Sequence, residues 1–171
     1  CIRDRDCTDS GELDNTGLSG DCDDNDADAN PGEPEVVGNN NDNDCDGTET
    51  CYVDGDNDGY LVNYSSTVGS SDEDCNGSGE GEATDPDGDC NDSNGNVHPN
   101  ATETIDNGLD NDCDGFELCY VDADDDGYRP DSSSTVESAN TSCTDTGEAE
   151  SSDPTTDCDD DDGTRYPTAP E

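Results

Sequence analysis

The sequence has no tryptophan, methionine or lysine, and only one phenylalanine and one histidine in 171 residues. Hydrophobic residues make up 24% of it, too little apolar surface to offset the entropy of ordering a chain of this length. A conventional hydrophobic core is excluded. Four arginines stand against 50 acidic residues, a formal charge of -46, which excludes nucleic acid as a partner because phosphate binding needs Lys and Arg. No apolar run is long enough to span a bilayer as a helix, and no stretch has helical periodicity. No two cysteines have C-x-x-C spacing and His98 stands alone, so a zinc site of clustered thiolates and imidazoles is not supplied. Catalytic groupings are missing as well. No Ser/His/Asp set, Cys/His set or phosphate-cradling glycine loop stands out, and among 50 acids any carboxylate pair could be chosen at will. The chain is not expected to be an enzyme, and His98 reads as a loop residue.

Composition alone would read as disorder, but eleven evenly spread cysteines argue for a stapled extracellular protein. Their spacing is regular. Cys22, Cys90 and Cys158 recur at a shift of 68, as do Cys7, Cys75 and Cys143, Cys45 and Cys113, and Cys51 and Cys119. Residues 21–88 align with 89–156 without a gap, and 32 of the 68 positions are identical. Residues 1–20 read as the end of a preceding unit, and 157–171 as the start of a third, to be completed by a neighbouring subunit or a longer array. Identity falls on acids, cysteines, glycines and prolines, so the units share a ligand and disulfide framework rather than a core. The segments CYVD and GYLV, with their copies CYVD and GYRP, predict strands of about three or four residues. The expected fold class is mostly irregular and loop-rich with short β-strands: an elongated, disulfide-stapled tandem repeat.

Each complete unit holds three acidic loops. The clearest is DGDNDG at 54–59, repeated as DADDDG at 122–127. The D-x-D-x-D-G pattern sends alternate carboxylates toward one point, and its glycine permits the turn that wraps the chain around a cation. Asp54, Asp56 and Asp58 with the Tyr60 carbonyl, and Asp122, Asp124 and Asp126 with the Tyr128 carbonyl, are the predicted ligands. Position 12 of these loops is Ser65 or Ser133 rather than Glu, so further ligands must come from elsewhere. The second loop, DNDCDG, offers Asp42, Asp44 and Asp46, and then Asp110, Asp112 and Asp114. The third begins DCDD and offers Asp24, Asp26, Asp28 and Glu35; Asp92, Asn94, Asn96 and Glu103; and Asp160, Asp162 and Glu171. It lacks a central glycine, so it is expected to share its ion with the DNDCDG aspartates. Nearly pure carboxylate donors favour Ca²⁺, several ions per chain, over magnesium or copper. Asn63, Asn76, Asn91, Asn100 and Asn140 each begin an N-x-S/T sequon, which makes glycans an expected addition.

The succession DCDD, PGEPE, DNDCDG and DxDxDG resembles the extracellular metal-binding repeat family of bacteria and archaea, and more loosely the thrombospondin type 3 calcium repeats. The resemblance covers nearly the whole chain and implies a calcium-loaded extracellular or cell-surface protein whose folding depends on metal. Such repeats usually carry a further cysteine after the PGxxE segment, where this chain has VVGNN and TIDNG. If Cys51 and Cys119 replace it, the implied pairs are Cys45–Cys51 and Cys113–Cys119, with Cys7–Cys22, Cys75–Cys90 and Cys143–Cys158, leaving Cys1 for an intersubunit bond. The rival scheme, Cys22–Cys45 and Cys51–Cys75, strands Cys158. The functional expectation is a calcium-binding structural repeat that self-associates into a fibre, filament or stalk. A cell-surface adhesin and a soluble calcium buffer or sensor are the alternatives.

Overall fold

The structure is a computed structural model describing residues 22–170 apart from Asp24 and Glu73. The cysteines at 1 and 7 and the predicted ligands Asp24 and Glu171 lie outside the described residues. The fold is loop-rich, with short strands, and among the described residues no helix forms. Strands β1 (Thr50–Asp54), β2 (Thr67–Gly69) and β3 (Gly79–Gly81) make one sheet in the order β2-β1-β3. Strands β4 (Glu117–Asp122), β5 (Thr135–Ser138) and β6 (Gly147–Ala149) repeat it as β5-β4-β6. The predicted CYVD segments are thus the central strands. Cys51 lies opposite Val68 and Cys119 opposite Val136, both antiparallel, and Tyr120 also pairs with Ala149 of β6. The predicted GYLV and GYRP strands shrink to single bridges, Leu61 to Asp87 and Arg129 to Thr155.

The described residues through Val53, with Tyr64–Asp85, form one compact unit; Asp54–Asn63, with those from Pro86 onward, form another. Among the described residues the buried apolar set is small and half cysteine: Ala29, Leu61, Val97 and Ala149 with Cys51, Cys75, Cys119 and Cys143. Disulfides therefore take the place that aliphatic packing holds in larger cores.

The disulfides follow the rival scheme and correct the preferred one. Cys22 bonds Cys45, Cys51 bonds Cys75, Cys90 bonds Cys113 and Cys119 bonds Cys143, while Cys158 is free and exposed. Strand formation is the reason. Residues from Thr50 onward form a strand, extended at about 3.3 Å per residue, which carries Cys51 away from Cys45 and turns it inward, 0% exposed. Cys45 instead sits in a left-handed turn conformation (φ 58°), with its sulfur accepting from the Cys22 amide at 3.1 Å.

Candidate metal centres

All four D-x-D-x-D-G loops fold alike, and the first aspartate is the reason. Asp54 Oδ1 accepts from the Asp58 amide at 3.2 Å and its Oδ2 from the Gly59 amide at 3.0 Å. Asp122 does the same with Asp126 and Gly127, Asp42 with Asp46 and Gly47, and Asp110 with Asp114 and Gly115. One carboxylate thus replaces the backbone partners that a six-residue turn leaves unmade. Positions 4 and 6 take positive φ: Asn57 at 61° and Gly59 at 85°, Asp125 at 60° and Gly127 at 81°, Cys45 at 58° and Gly47 at 90°. Nothing approaches the space a Cβ would take at Gly59 or Gly127, so the turn requires glycine for its dihedral and not for room.

The turns converge carboxylates into four groups. Asp54, Asp56 and Asp58 form one, Asp122, Asp124 and Asp126 the second; in each, one oxygen per residue lies within 4.8 Å of the others. The DNDCDG loops recruit a glutamate from upstream, giving Glu35, Asp42, Asp44 and Glu103, Asp110, Asp112 at the same separation. Glu35 and Glu103 thus bring one carboxylate of each DC-type loop beside the DNDCDG aspartates. Asn43 and Asn111 arrange it. Asn43 Oδ1 accepts from the Val36 amide and its Nδ2 donates to the Asp28 carbonyl; Asn111 bonds Thr104 and Asn96 in the same way. That lays the PGxxE segment along the loop, where the Glu35 carboxylate accepts from the Asp44 amide at 2.9 Å.

Burial makes these groups candidate cation sites. Among the described residues, eleven buried side-chain oxygens have no hydrogen-bond partner, and all are carboxylate oxygens at these four places. They belong to Glu35 and Glu49; Glu103 and Glu117; Asp56, Asp58 and Asp89; and Asp124, Asp126 and Asp157. A buried charge without a partner costs several kcal/mol, so an acid cluster with this pattern fits a hard, oxygen-seeking cation. Among the described residues no arginine compensates, the one ion pair joining Arg165 to Asp159. Burial raises the Asp58, Asp89, Asp124, Asp126, Glu103 and Glu117 carboxyls above their ordinary values, and neighbouring carboxylates add to each shift. Glu49, 1% exposed and within hydrogen-bonding reach of Glu35, is pushed up to about 7 by burial first and Glu35 second.

Sequence reasoning missed Glu49, Glu117, Asp89 and Asp157. The strand period could have found the first two, since Glu49 lies two residues before the buried Cys51 and shares its face. The other two occupy the first position of DC-type loops, which is Asp in all three copies. Other predicted ligands fall outside the groups. Asp46 and Asp114 are exposed, each with Oδ1 accepting from an amide two residues on. Asp26 holds the Asp28 amide and the Asn41 side chain, Asp28 is exposed, and Asn94 accepts from Asn96. Asp162 binds Thr164 through both amide and hydroxyl. Asp92 and Asp160 reach a DxDxDG loop by accepting from the backbone amides of Gly55 and Ala123. Tyr60 and Tyr128 follow their loops directly, each amide bonded to the last aspartate, and their rings stack on His98 and Tyr166 at 4.5 and 5.0 Å. His98 thus has a packing partner that its sequence context did not suggest.

A family model matches residues 21–50, 70–80, 89–117 and 157–171: the Cu-binding MopE family, whose description reads "Putative metal-binding motif". Its first and third segments each run from a DC-type loop to Glu49–Thr50 or Glu117, and so enclose both Glu-Asp-Asp groups. No curated protein and no solved structure matches the chain.

Proposed function

Starting from a chain that belongs to this family of metal-binding motifs, we propose that it is a calcium-binding extracellular repeat protein, a structural segment of a surface fibre or stalk. The eleven buried, unpartnered carboxylate oxygens carry the reading. Each ion would neutralise three or more aspartates and glutamates whose repulsion otherwise opposes the turn, so binding free energy becomes folding free energy. The family's name points to copper, but the donors at these groups are oxygens only. The lone imidazole, His98, is stacked on Tyr60, and eight cysteines are tied up as disulfides. Oxygen-only sets suit Ca²⁺, whereas Cu²⁺ seeks imidazole or sulfur. The disulfides favour an oxidising, extracellular setting, and no helix among the described residues is long and apolar enough to cross a membrane.

The role is architectural and not enzymatic. Self-association into a fibre, or continuation in a longer repeat array, suits a chain built of metal-set turns. Glycans would be carried on Asn76, Asn100 and Asn140, which are exposed; Asn63 and Asn91 are half-buried and less open to transfer. The test is calcium calorimetry, with circular dichroism and protease resistance measured before and after EDTA. Uptake of several ions and collapse on chelation are expected. A profile indifferent to EDTA, or copper bound in preference to calcium, would overturn the reading.

A further inference from the structure

We infer that the ion of each DxDxDG loop is shared across the repeat boundary, with Asp89 closing the Asp54–Asp56–Asp58 group and Asp157 the Asp122–Asp124–Asp126 group. This rests on the metal reading above and adds ligands that lie outside the loops themselves. Asp89 is 5% exposed and Asp157 9%, yet each has an Oδ2 without any hydrogen-bond partner. Their Oδ1 atoms are committed to a local turn, accepting from the Asn91 amide at 2.7 Å and the Asp159 amide at 3.2 Å. A carboxylate that served only this turn would leave its second oxygen to water. Here that oxygen is buried: the Asp58 and Asp56 charges, whose own oxygens are unpartnered, act on Asp89, and the Asp157 charge acts on Asp124 and Asp126, unpartnered likewise.

The backbone itself puts each acid there. Leu61, two residues beyond Gly59, receives the Gly88 and Asp89 amides on its carbonyl and gives its own amide to Pro86. Arg129 does the same with Asp157 and Pro154, and its buried guanidinium donates to the Ser151 and Asp153 carbonyls. The DC-type loop then folds over the turn: a side chain at Gly95 would come within 3.3 Å of Asp58 Cβ, and Tyr60 stacks on His98 as Tyr128 does on Tyr166. The next residue is Cys90, bonded to Cys113 inside the DNDCDG loop that carries Asp110 and Asp112. The ion on the Asp54–Asp56–Asp58 turn is thereby joined, through Asp89 and one disulfide, to the Glu103–Asp110–Asp112 group, whereas Cys158, which follows Asp157, is free.

Calcium calorimetry on the full chain tests this with Asp89→Asn and Asp157→Asn, which keep Oδ1 for the turn and remove the charge. Each variant should lose one site, weakened about tenfold or more, and leave the others in place. A double-mutant cycle guards against a trivial folding defect. Asp56→Asn combined with Asp89→Asn should lose no more sites than either alone, whereas Asp44→Asn combined with Asp89→Asn should lose two. Wild-type titrations from the Asp89 and Asp157 variants, or two lost sites in the Asp56–Asp89 pair, would overturn the shared site while leaving calcium binding intact. A wild-type chain that takes up no calcium would overturn both.

Discussion

Replacing Glu49 by glutamine should make the metal-free protein more stable and the calcium-loaded protein less so. Glu49 is 1% exposed; one oxygen accepts from the Gly38 amide at 3.2 Å, and the other has no partner and lies close to Glu35. Burial and Glu35 raise its carboxyl from 4.5 to about 7. At about 1.4 kcal/mol per unit, holding the charged form in the metal-free fold costs on the order of 3 kcal/mol. The sign follows from linkage. A carboxyl raised in the fold binds more protons there than in the unfolded chain, so stability is full below about 4.5, falls as pH rises and is lowest above about 7. Glutamine never ionises and its NH₂ can donate to Glu35. In EDTA at pH 8 the variant should therefore resist urea better than wild type by up to about 3 kcal/mol, and at pH 5 by under about 1 kcal/mol.

Calcium reverses the order. Glu35, Asp42 and Asp44 would keep the ion with one charge fewer, so the variant gains less from saturating calcium and falls behind wild type. Urea unfolding at two pH values, each with EDTA and with calcium, reads all four quantities. A variant that tracks wild type in EDTA at both pH values would refute the buried-charge argument. One that gains as much from calcium as wild type would refute a role for Glu49 at the site.

Gly127→Ala meets no steric obstacle but must hold φ near 81°, so it should cost about 1–2 kcal/mol and weaken that site in the same calorimetry; an unchanged variant would mean the turn relaxes freely. Peptide mapping without reduction should return the 22–45, 51–75, 90–113 and 119–143 linkages, with Cys158 alkylated in the native state. A Cys45–Cys51 peptide would instead restore the pairing that the family resemblance implies. Replacing Cys119 and Cys143 together by serine opens a loop with a sequence separation of 24 and should cost about 3.5 kcal/mol in calcium, read as a lower urea midpoint. Arg129→Ala removes two bonds from a buried guanidinium to backbone carbonyls and a stack over Tyr120 at 4.1 Å, so a loss of about 2–3 kcal/mol is expected by thermal unfolding.

The turns were legible in the sequence because their cause is local. Alternating aspartates and a glycine at position 6 need only six residues to dictate the Asx-type bonds that all four loops share. The ligand sets were not, because the same six-residue turn ends up in two surroundings. At Asp58 a neighbouring loop buries the second oxygen; at Asp46, identical in pattern, that face stays exposed and glutamates on other segments approach Asp42 and Asp44. Which segment arrives is set by sheet register and disulfides, both products of distant residues. Cys51 illustrates this. It stands six positions after Cys45, and the family resemblance implies a bond between them. The strand that begins at Thr50 straightens the chain and hands Cys51 to Cys75 instead. The DC-type loop divides for the same reason: the segment beginning at Asp89 folds onto the preceding turn, and Glu103 reaches the following one. A sequence window centred on any single loop sees half of each site. The 68-residue repeat, read as a chain of shared boundaries and not as separate modules, is the level at which the acid pattern becomes a set of ions.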